Sequence, residues 1–537
     1  MNIVIIGAGL AGLTAAVKAS DFGASVSLIS PNYSETSQSV MAMGGINAAL
    51  NTKGENDSVE NHYDDTINGG CEINNPRAVK KLTENAPNIV EWLGNIGVSF
   101  TRDDNNNIDL RYFGGQKKAR TAYAGARTGK QLVTSLISLC RKKEFEGKVK
   151  RFIGWRLLSL IIENKQCHGA IFINENTSEI KAFKGNVILA SGGLNKLFGK
   201  TSGSVLNDAY VTSKALMQGV TLANLEMIQY HPTTIKTPSK RMLITEAARG
   251  EGGKLFILKD GKPWYFMKEW YPEMAELMPR DVVSRSIFKA SEAGKKQTYL
   301  DISHLDEETV KVKLDEVYDV CMKYLKLDPT TEPIPIYPGI HYFMGGIKTD
   351  ENHKTNIDGL YAAGECSCQY HGANRLGGNS LLGAIHGGCV AAQNMLSNHF
   401  DIDEEIVSKQ LSKEISLYKS WNDSPEGISL KNIEDELASI MNNVLGIYRN
   451  ENDLNDALNK IDDLNQEIAT DGSYYDYVKI KSLLVLAKAC IISANARKES
   501  RGAHQRREYP ESSLDYQKTS CIRFDGEIKI TFEGFDE

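Results

Sequence analysis

The chain has 537 residues, 41% hydrophobic and 24% charged, enough for several hydrophobic cores, which excludes a single compact domain and implies two to four. A net charge of −6 with no Lys/Arg tract excludes an electrostatic footprint for nucleic acid or anionic lipid. Nine cysteines, an odd number with no CxxC pair, fit a reducing compartment better than a disulfide framework. Cys366 and Cys368 stand closest and read as small residues near a packed loop. No metal site is therefore expected, and any iron–sulfur chemistry belongs to another chain.

The apolar start lacks a basic leader and is broken by Gly7, Gly9 and Gly12, so it reads as strand, turn and helix rather than a signal peptide. Residues 3–6 (Ile-Val-Ile-Ile) predict a buried parallel strand, followed by Gly7-Ala8-Gly9-Leu10-Ala11-Gly12 and an alanine-rich helix. A second strand over 26–29 follows at the βαβ distance. Residues 103–107 are polar enough for a surface loop. From 151 to 190, short apolar runs between Asn/Glu/Lys turns predict an antiparallel meander ending in the buried strand 187–190. Residues 231–341 mix Pro, Trp, Tyr and charges without a long period, as an inserted domain would. The Gly-rich stretch 344–388 returns to strand and loop. After 400, Ile433, Leu437, Met441, Leu445 and then Leu454, Leu458 and Ile461 recur at helical spacing. The apolar run 483–492 carries Lys488 and falls short of the ~20 residues of a membrane span.

A GxGxxG turn between strand and helix permits close backbone approach to a pyrophosphate at a helix N-terminus. The second strand ends in Ser30-Pro31, so the acid that would hold an NAD ribose is missing. A late strand instead ends in Ala362-Ala363-Gly364-Glu365, where a carboxylate can meet a ribityl chain, and Asn379-Ser380-Leu381-Leu382 begins a helix whose N-terminus would face a flavin pyrimidine. FAD is favoured over NAD. The inserted region and its surroundings gather His231, Thr245, Glu246, Arg249, Arg280, His341 and Arg375, a set suited to an anionic substrate because guanidinium forks match carboxylates.

These residues sit in distinctive runs: Met43-Gly44-Gly45-Ile46-Asn47-Ala48-Ala49, the 120–129 segment, His231-Pro232-Thr233, Thr245-Glu246 through Gly253, Pro279-Arg280-Asp281, His341-Tyr342-Phe343-Met344-Gly345-Gly346, the 371–382 segment and Ser500-Arg501-Gly502-Ala503-His504. Over nearly the whole chain they resemble the flavoprotein subunit of succinate dehydrogenase and fumarate reductase, a superfamily that includes L-aspartate oxidase. Segments 51–55 and 261–266 look closest to the branch found with a menaquinone-linked diheme anchor.

The resemblance implies an α/β + α architecture: a Rossmann-type FAD-binding domain (1–230 and 342–400), an inserted α+β capping domain (231–341), a helical domain (401–500) and a C-terminal tail (501–537). It implies Arg280 as proton donor and acceptor, relayed through Glu246 and Arg249, with hydride passing between flavin N5 and fumarate. His231, Thr245, His341, Arg375 and Phe113 would bind the substrate. Gly7, Gly9, Gly12, Ser30, Ser37, Gly44, Gly45, Ala190, Gly192, Asp208, Glu365, Asn379, Ser380 and Leu381 would bind FAD. An arginine acid requires crowding by other cations and exclusion from water. An iron–sulfur subunit and a membrane anchor subunit are the implied partners, which would hold a cytoplasmic chain peripherally at the inner face of the membrane, in anaerobic electron transport.

Two departures bear on this reading. The family's FAD-linking histidine, in a Ser-His-Ser/Thr-Val context, is replaced in Ser37-Gln38-Ser39-Val40, so FAD should be non-covalent and the flavin potential lower, favouring fumarate reduction. Met43 stands where a glutamine is usual, and the run after Tyr509-Pro510-Glu511 is altered and shortened. L-aspartate oxidase, which also holds FAD without a covalent bond, is the rival enzyme, opposed by Gly502-Ala503-His504-Gln505-Arg506-Arg507. A non-catalytic flavin-binding assembly subunit is the rival from another class, opposed by the intact Arg280, Glu246 and Arg249.

Overall fold

The computed structural model describes residues 1–534 except 126, 239, 399, 423 and 425, so Ala126 of the 120–129 motif and the last three tail positions lie outside the described residues. Strand Asn2–Ile6 is buried from Ile3 onward and sits at the centre of a five-stranded parallel sheet. The strand order is Leu360–Ala362, Asn186–Leu189, Asn2–Ile6, Ser25–Ser30 and Val149–Ile153. A parallel sheet covered on both faces needs such continuous apolar runs. Beyond Ile6 the chain turns through Gly7, at φ +111°, into helix Leu10–Asp21. A Cβ on Gly7 would lie 2.2 Å from the Ala190 carbonyl oxygen, and one on Gly12 would lie 1.9 Å from that of Gly7, so only glycine permits this turn to close against the sheet.

The expected meander needs correction at both ends, since its expected last strand, Asn186–Leu189, pairs in parallel with Asn2–Ile6 and Leu360–Ala362. Val149–Ile153 pairs in parallel with Ser25–Ser30 and belongs to the main sheet. The antiparallel meander begins at Trp155 and comprises Trp155–Glu163, Gln166–Asn174 and Ile180–Lys184. Apolar periodicity marks strands but does not choose their neighbours.

The inserted region is built on a six-stranded antiparallel sheet in which Ile228–Lys236 and Ile334–Phe343 pair centrally, His231 opposite Gly339. Both strands run without a break across the expected junctions at 230/231 and 341/342. The region has its own core, including Ile235, Ile257, Phe266, Val283 and Leu300.

Four helices follow residue 400: Glu404–Lys419, Leu430–Val444, Glu451–Gln466 and Tyr474–Ala496. Each begins at a side-chain N-cap, respectively Asp403, Ser429, Asn450 and Ser473, which accepts a backbone N–H of the first turn. The last is apolar nearly all round because it is buried between its neighbours and the rest of the fold. Among the described residues no helix is long and apolar enough to cross a membrane. The tail folds back as the hairpin Thr519–Phe524 and Ile528–Glu533, extending a second five-stranded sheet through Leu222–Ala223. The fully buried pair Arg497 and Glu226, Nε to Oε1 at 2.6 Å, ties the last helix to the segment that feeds the six-stranded sheet.

Candidate active site

A cavity of about 520 Å³ opens at the C-terminal edge of the parallel sheet and reaches the six-stranded sheet. The sequence-predicted cofactor residues Gly7, Gly9, Ser30, Ser37, Gly44, Gly45, Ala190, Gly192, Asp208, Glu365, Ser380 and Leu381 line it, as do the substrate candidates Phe113, His231, Thr245, His341 and Arg375, together with Glu246 and Arg280. Three predicted residues do not. Gly12 lies beneath the Gly7 turn, where it sets helix-to-strand distance. Arg249 stands behind Glu246. Asn379 spends its side chain elsewhere: Oδ1 accepts from Asn47 Nδ2 at 2.7 Å and lies 2.9 Å from His62 Nε2, while Nδ2 donates to Thr66 Oγ1 at 3.0 Å. The side chain is a buried tie between the 379–397 helix and the 59–69 helix.

Several features fit the cavity to a flavin dinucleotide. The glycine turn leaves backbone exposed where a Cβ would collide, and the Ser37 hydroxyl is buried with no protein partner. Glu365 accepts from Phe343 N–H and from Gln38 Nε2, each at 3.2 Å, and burial pushes its pKa up to about 7 against the counter-pull of the Phe343 N–H and Arg375. A carboxyl so poised can accept from a ribityl hydroxyl or donate to one. Gln38 is held from the other side, its Oε1 accepting from Ser204 N at 2.9 Å and Asn207 Nδ2 at 2.8 Å.

The ionic centre is built around Glu246. Its Oε1 accepts from Arg249 Nη2 at 2.9 Å and Gly114 N at 3.0 Å, and its Oε2 accepts from Arg280 Nε at 2.8 Å. Burial raises the pKa of this carboxyl, but Arg280 and Arg249 overcome that and hold it at about 2. It is an ionised bridge between two guanidiniums. Arg280 opens helix Arg280–Ala290 just after Pro279, so its side chain leaves the helix's first turn toward Glu246.

Arg375 is the poorly satisfied cation. Its Nε is buried without a partner, its Nη1 makes only a long contact to Leu376 O at 3.4 Å, and its guanidinium lies 4.4 Å from the Tyr342 ring centre. Burial and then Arg280 lower its proton affinity to about 9, still cationic at neutral pH. His231 and His341 face each other with ring centres 5.1 Å apart. Burial and nearby arginines push both far below the usual histidine range, so both are neutral. His231 Nδ1 lies 3.2 Å from both the N–H and the carbonyl oxygen of Thr233, so that side of the ring is held by its own strand. Three guanidiniums against the single carboxylate of Glu246 leave an excess of positive charge suited to a small dianion.

Sequence reasoning missed Gln229. It is fully buried, accepts from Arg280 Nη1 at 3.2 Å, and donates to Asn374 Oδ1 at 2.9 Å and Arg375 O at 2.7 Å. It lies two residues before His231 in the same strand, and period-2 alternation was the available signal. Ser202, whose hydroxyl lies 2.8 Å from His341 Nδ1, had no signal in the sequence.

Comparison with known proteins agrees with this arrangement. Residues 2–381 match the model of the FAD binding domain family, and residues 434–536 match that of the fumarate reductase flavoprotein C-terminus. The chain is 38% identical to the succinate dehydrogenase flavoprotein subunit of Bacillus subtilis, covering 97% of this chain and 94% of that protein. It is 34% identical to L-aspartate oxidase 1 of Ralstonia nicotianae, covering 95% and 96%. The solved structure of a quinol-fumarate reductase with menaquinol molecules superposes with a TM-score of 0.91 at 30% identity, covering 99% of this chain and 97% of that one. The chain thus belongs to the succinate dehydrogenase/fumarate reductase flavoprotein family of FAD-dependent oxidoreductases.

Proposed function

We propose that this protein is a fumarate reductase/succinate dehydrogenase flavoprotein subunit that interconverts fumarate and succinate on dissociable FAD, with fumarate reduction the favoured direction. The observation that carries the proposal is the Arg280–Glu246 pair, backed by Arg249, lining one cavity with the under-satisfied Arg375 and two neutral histidines. When bound, FAD supplies the hydride. Arg375, Thr245, His231 and His341 grip the two carboxylates, fixing the alkene so that its carbons cannot rotate away. Arg280 gives its proton to the alkene carbon next to the one receiving hydride. Glu246 passes the replacement proton from Arg249, whose own proton affinity is lowered by burial. Arg375 offsets the negative charge that develops on the substrate carboxylate.

Gln38 supports dissociable FAD and the reductive direction. An amide nitrogen cannot replace an imidazole as the flavin-linking nucleophile, and without an electron-withdrawing substituent the flavin potential is lower. An iron–sulfur subunit and, through it, a membrane anchor subunit at the cytoplasmic face are the proposed partners, consistent with relatives named as flavoprotein subunits.

L-aspartate oxidation is the second reading, favoured by the 34% identical relative. Against it, an ammonium group would be desolvated among three guanidiniums, and both oxygens of Glu246 are already taken by Arg249, Gly114 and Arg280. The deciding experiment is anaerobic reoxidation of the reduced holoenzyme by fumarate, mesaconate, iminoaspartate and aryl acrylates, with aerobic peroxide release from L-aspartate in parallel. Fast reoxidation by fumarate without peroxide supports the proposal. Robust peroxide release from L-aspartate with no fumarate turnover would sink it.

A further inference from the structure

The two cavity histidines are held in different ways. His231 Nδ1 turns back onto its own strand, 3.2 Å from both the N–H and the carbonyl oxygen of Thr233. His341 Nδ1 instead meets a side chain from a distant segment. Ser202 Oγ lies 2.8 Å from His341 Nδ1 and 3.2 Å from the Ile340 carbonyl oxygen. Among the described residues no other hydrogen-bond partner of His341 is found, which leaves Nε2 to the cavity that its ring lines.

A hydroxyl permits two arrangements. In one, Ser202 donates to Nδ1 and the ring presents Nε2–H to the cavity. In the other, Nδ1 keeps the proton, Ser202 donates to Ile340 O, and Nε2 presents a lone pair. A carboxylate only accepts, so the first arrangement binds it and the second repels it. The imidazolium, which would donate from both nitrogens, is suppressed by burial and by His231, Arg280 and Arg375.

We propose that Ser202 is a positioning residue for substrate binding: its hydroxyl donates to Nδ1 of His341 and so keeps the ring in the Nε2–H form that a substrate carboxylate requires. Ser202 is itself fixed, since its N–H donates to Ile340 O at 2.9 Å. Its neighbour Thr201 accepts from Arg241 N at 3.0 Å through its carbonyl and from Asn195 Nδ2 at 3.2 Å through its hydroxyl. The hydroxyl is thereby delivered to the ring by backbone anchoring, at no cost in ordering when substrate arrives.

The inference rests on the dicarboxylate reading of the cavity, and the test separates the two. Malonate, a non-reacting dicarboxylate, is titrated into the oxidised holoenzyme and followed by the flavin absorbance change, for wild type and for Ser202→Ala, Ser202→Cys and Ser202→Thr at matched FAD content. Loss of the hydroxyl should weaken malonate binding about tenfold in Ser202→Ala and Ser202→Cys. Ser202→Thr, which keeps it, should bind as wild type does. In turnover the same loss should raise KM for fumarate by a similar factor with kcat little changed, the mark of uniform binding. Malonate bound equally by wild type and Ser202→Ala overturns the role of Ser202, as does Ser202→Thr behaving like Ser202→Ala. Failure of wild type to bind malonate at all overturns the dicarboxylate reading instead.

Discussion

Arg280 Nε lies 2.8 Å from Glu246 Oε2, and both side chains are nearly or wholly buried. In the proposed mechanism the cation that releases a proton is thus in direct contact with the carboxylate that returns one. The contact joins helix Arg280–Ala290 to the segment just before helix Ala247–Gly250, so the proposed relay depends on two separate turns.

Glu246→Gln keeps an acceptor for Arg280 but no longer carries a proton between the arginines. Fumarate reduction by reduced viologen should fall by about 10²–10⁴-fold in kcat, the range of a lost acid–base group. Malonate binding, followed by flavin absorbance, should change only a few-fold. Arg280→Ala should abolish turnover altogether. Substantial kcat in either variant would remove the relay.

Glu365 gives a pH signature in the FAD-free protein. Burial raises its folded value to about 7 from an ordinary 4.5, so the protonated form is the one that folding favours. The associated stability is fully present below about pH 4.5 and is lost as pH rises through 7, a change of about 3 kcal/mol. Glu365→Gln lacks this titration. Denaturant titrations should therefore show the variant gaining on wild type between pH 4.5 and 8, and a constant difference would refute the assignment.

Gln38 predicts a cofactor that leaves with denaturation. After acid precipitation the yellow colour should stay in the supernatant, and the pellet should show no flavin fluorescence. Colour retained by washed pellet would mean a covalent bond from another residue.

Removing one partner of a fully buried ion pair leaves the other charge unpaired. Arg497→Met strands Glu226 and releases the carbonyls of Tyr516 and Lys518, which Arg497 Nη1 and Nη2 hold at 2.7 and 2.8 Å. Unfolding free energy should drop by about 3–5 kcal/mol. Limited proteolysis should cut first near the 519–533 hairpin. A melting temperature unchanged from wild type would show that the pair contributes nothing.

Much of the architecture was legible in the residues because it depends on local rules. The buried run 3–6, the glycines at 7, 9 and 12 and the late strand ending at Glu365 mark a dinucleotide fold by spacing and composition alone. The helical repeat from Ile433 to Ile461 likewise follows from a period of 3.6. The family motifs named the residues around the cavity, since each lies in a run whose local sequence is distinctive.

Tertiary structure decided what local rules cannot reach. Val149–Ile153 joined the parallel sheet rather than the meander because strand pairing depends on distant partners. The Asn379 amide went to Asn47, His62 and Thr66, more than 300 positions away along the chain, where burial required every polar atom to be satisfied. The tail became part of a sheet, held by Arg497 and Glu226. Ser202 and His341 stand 139 positions apart, and no spacing in the sequence could pair a hydroxyl with one ring nitrogen. The sequence by itself determined that this is an FAD-dependent oxidoreductase. The folded chain decided which atoms face which, because hydrogen bonds are set by distance and angle and not by position along the chain.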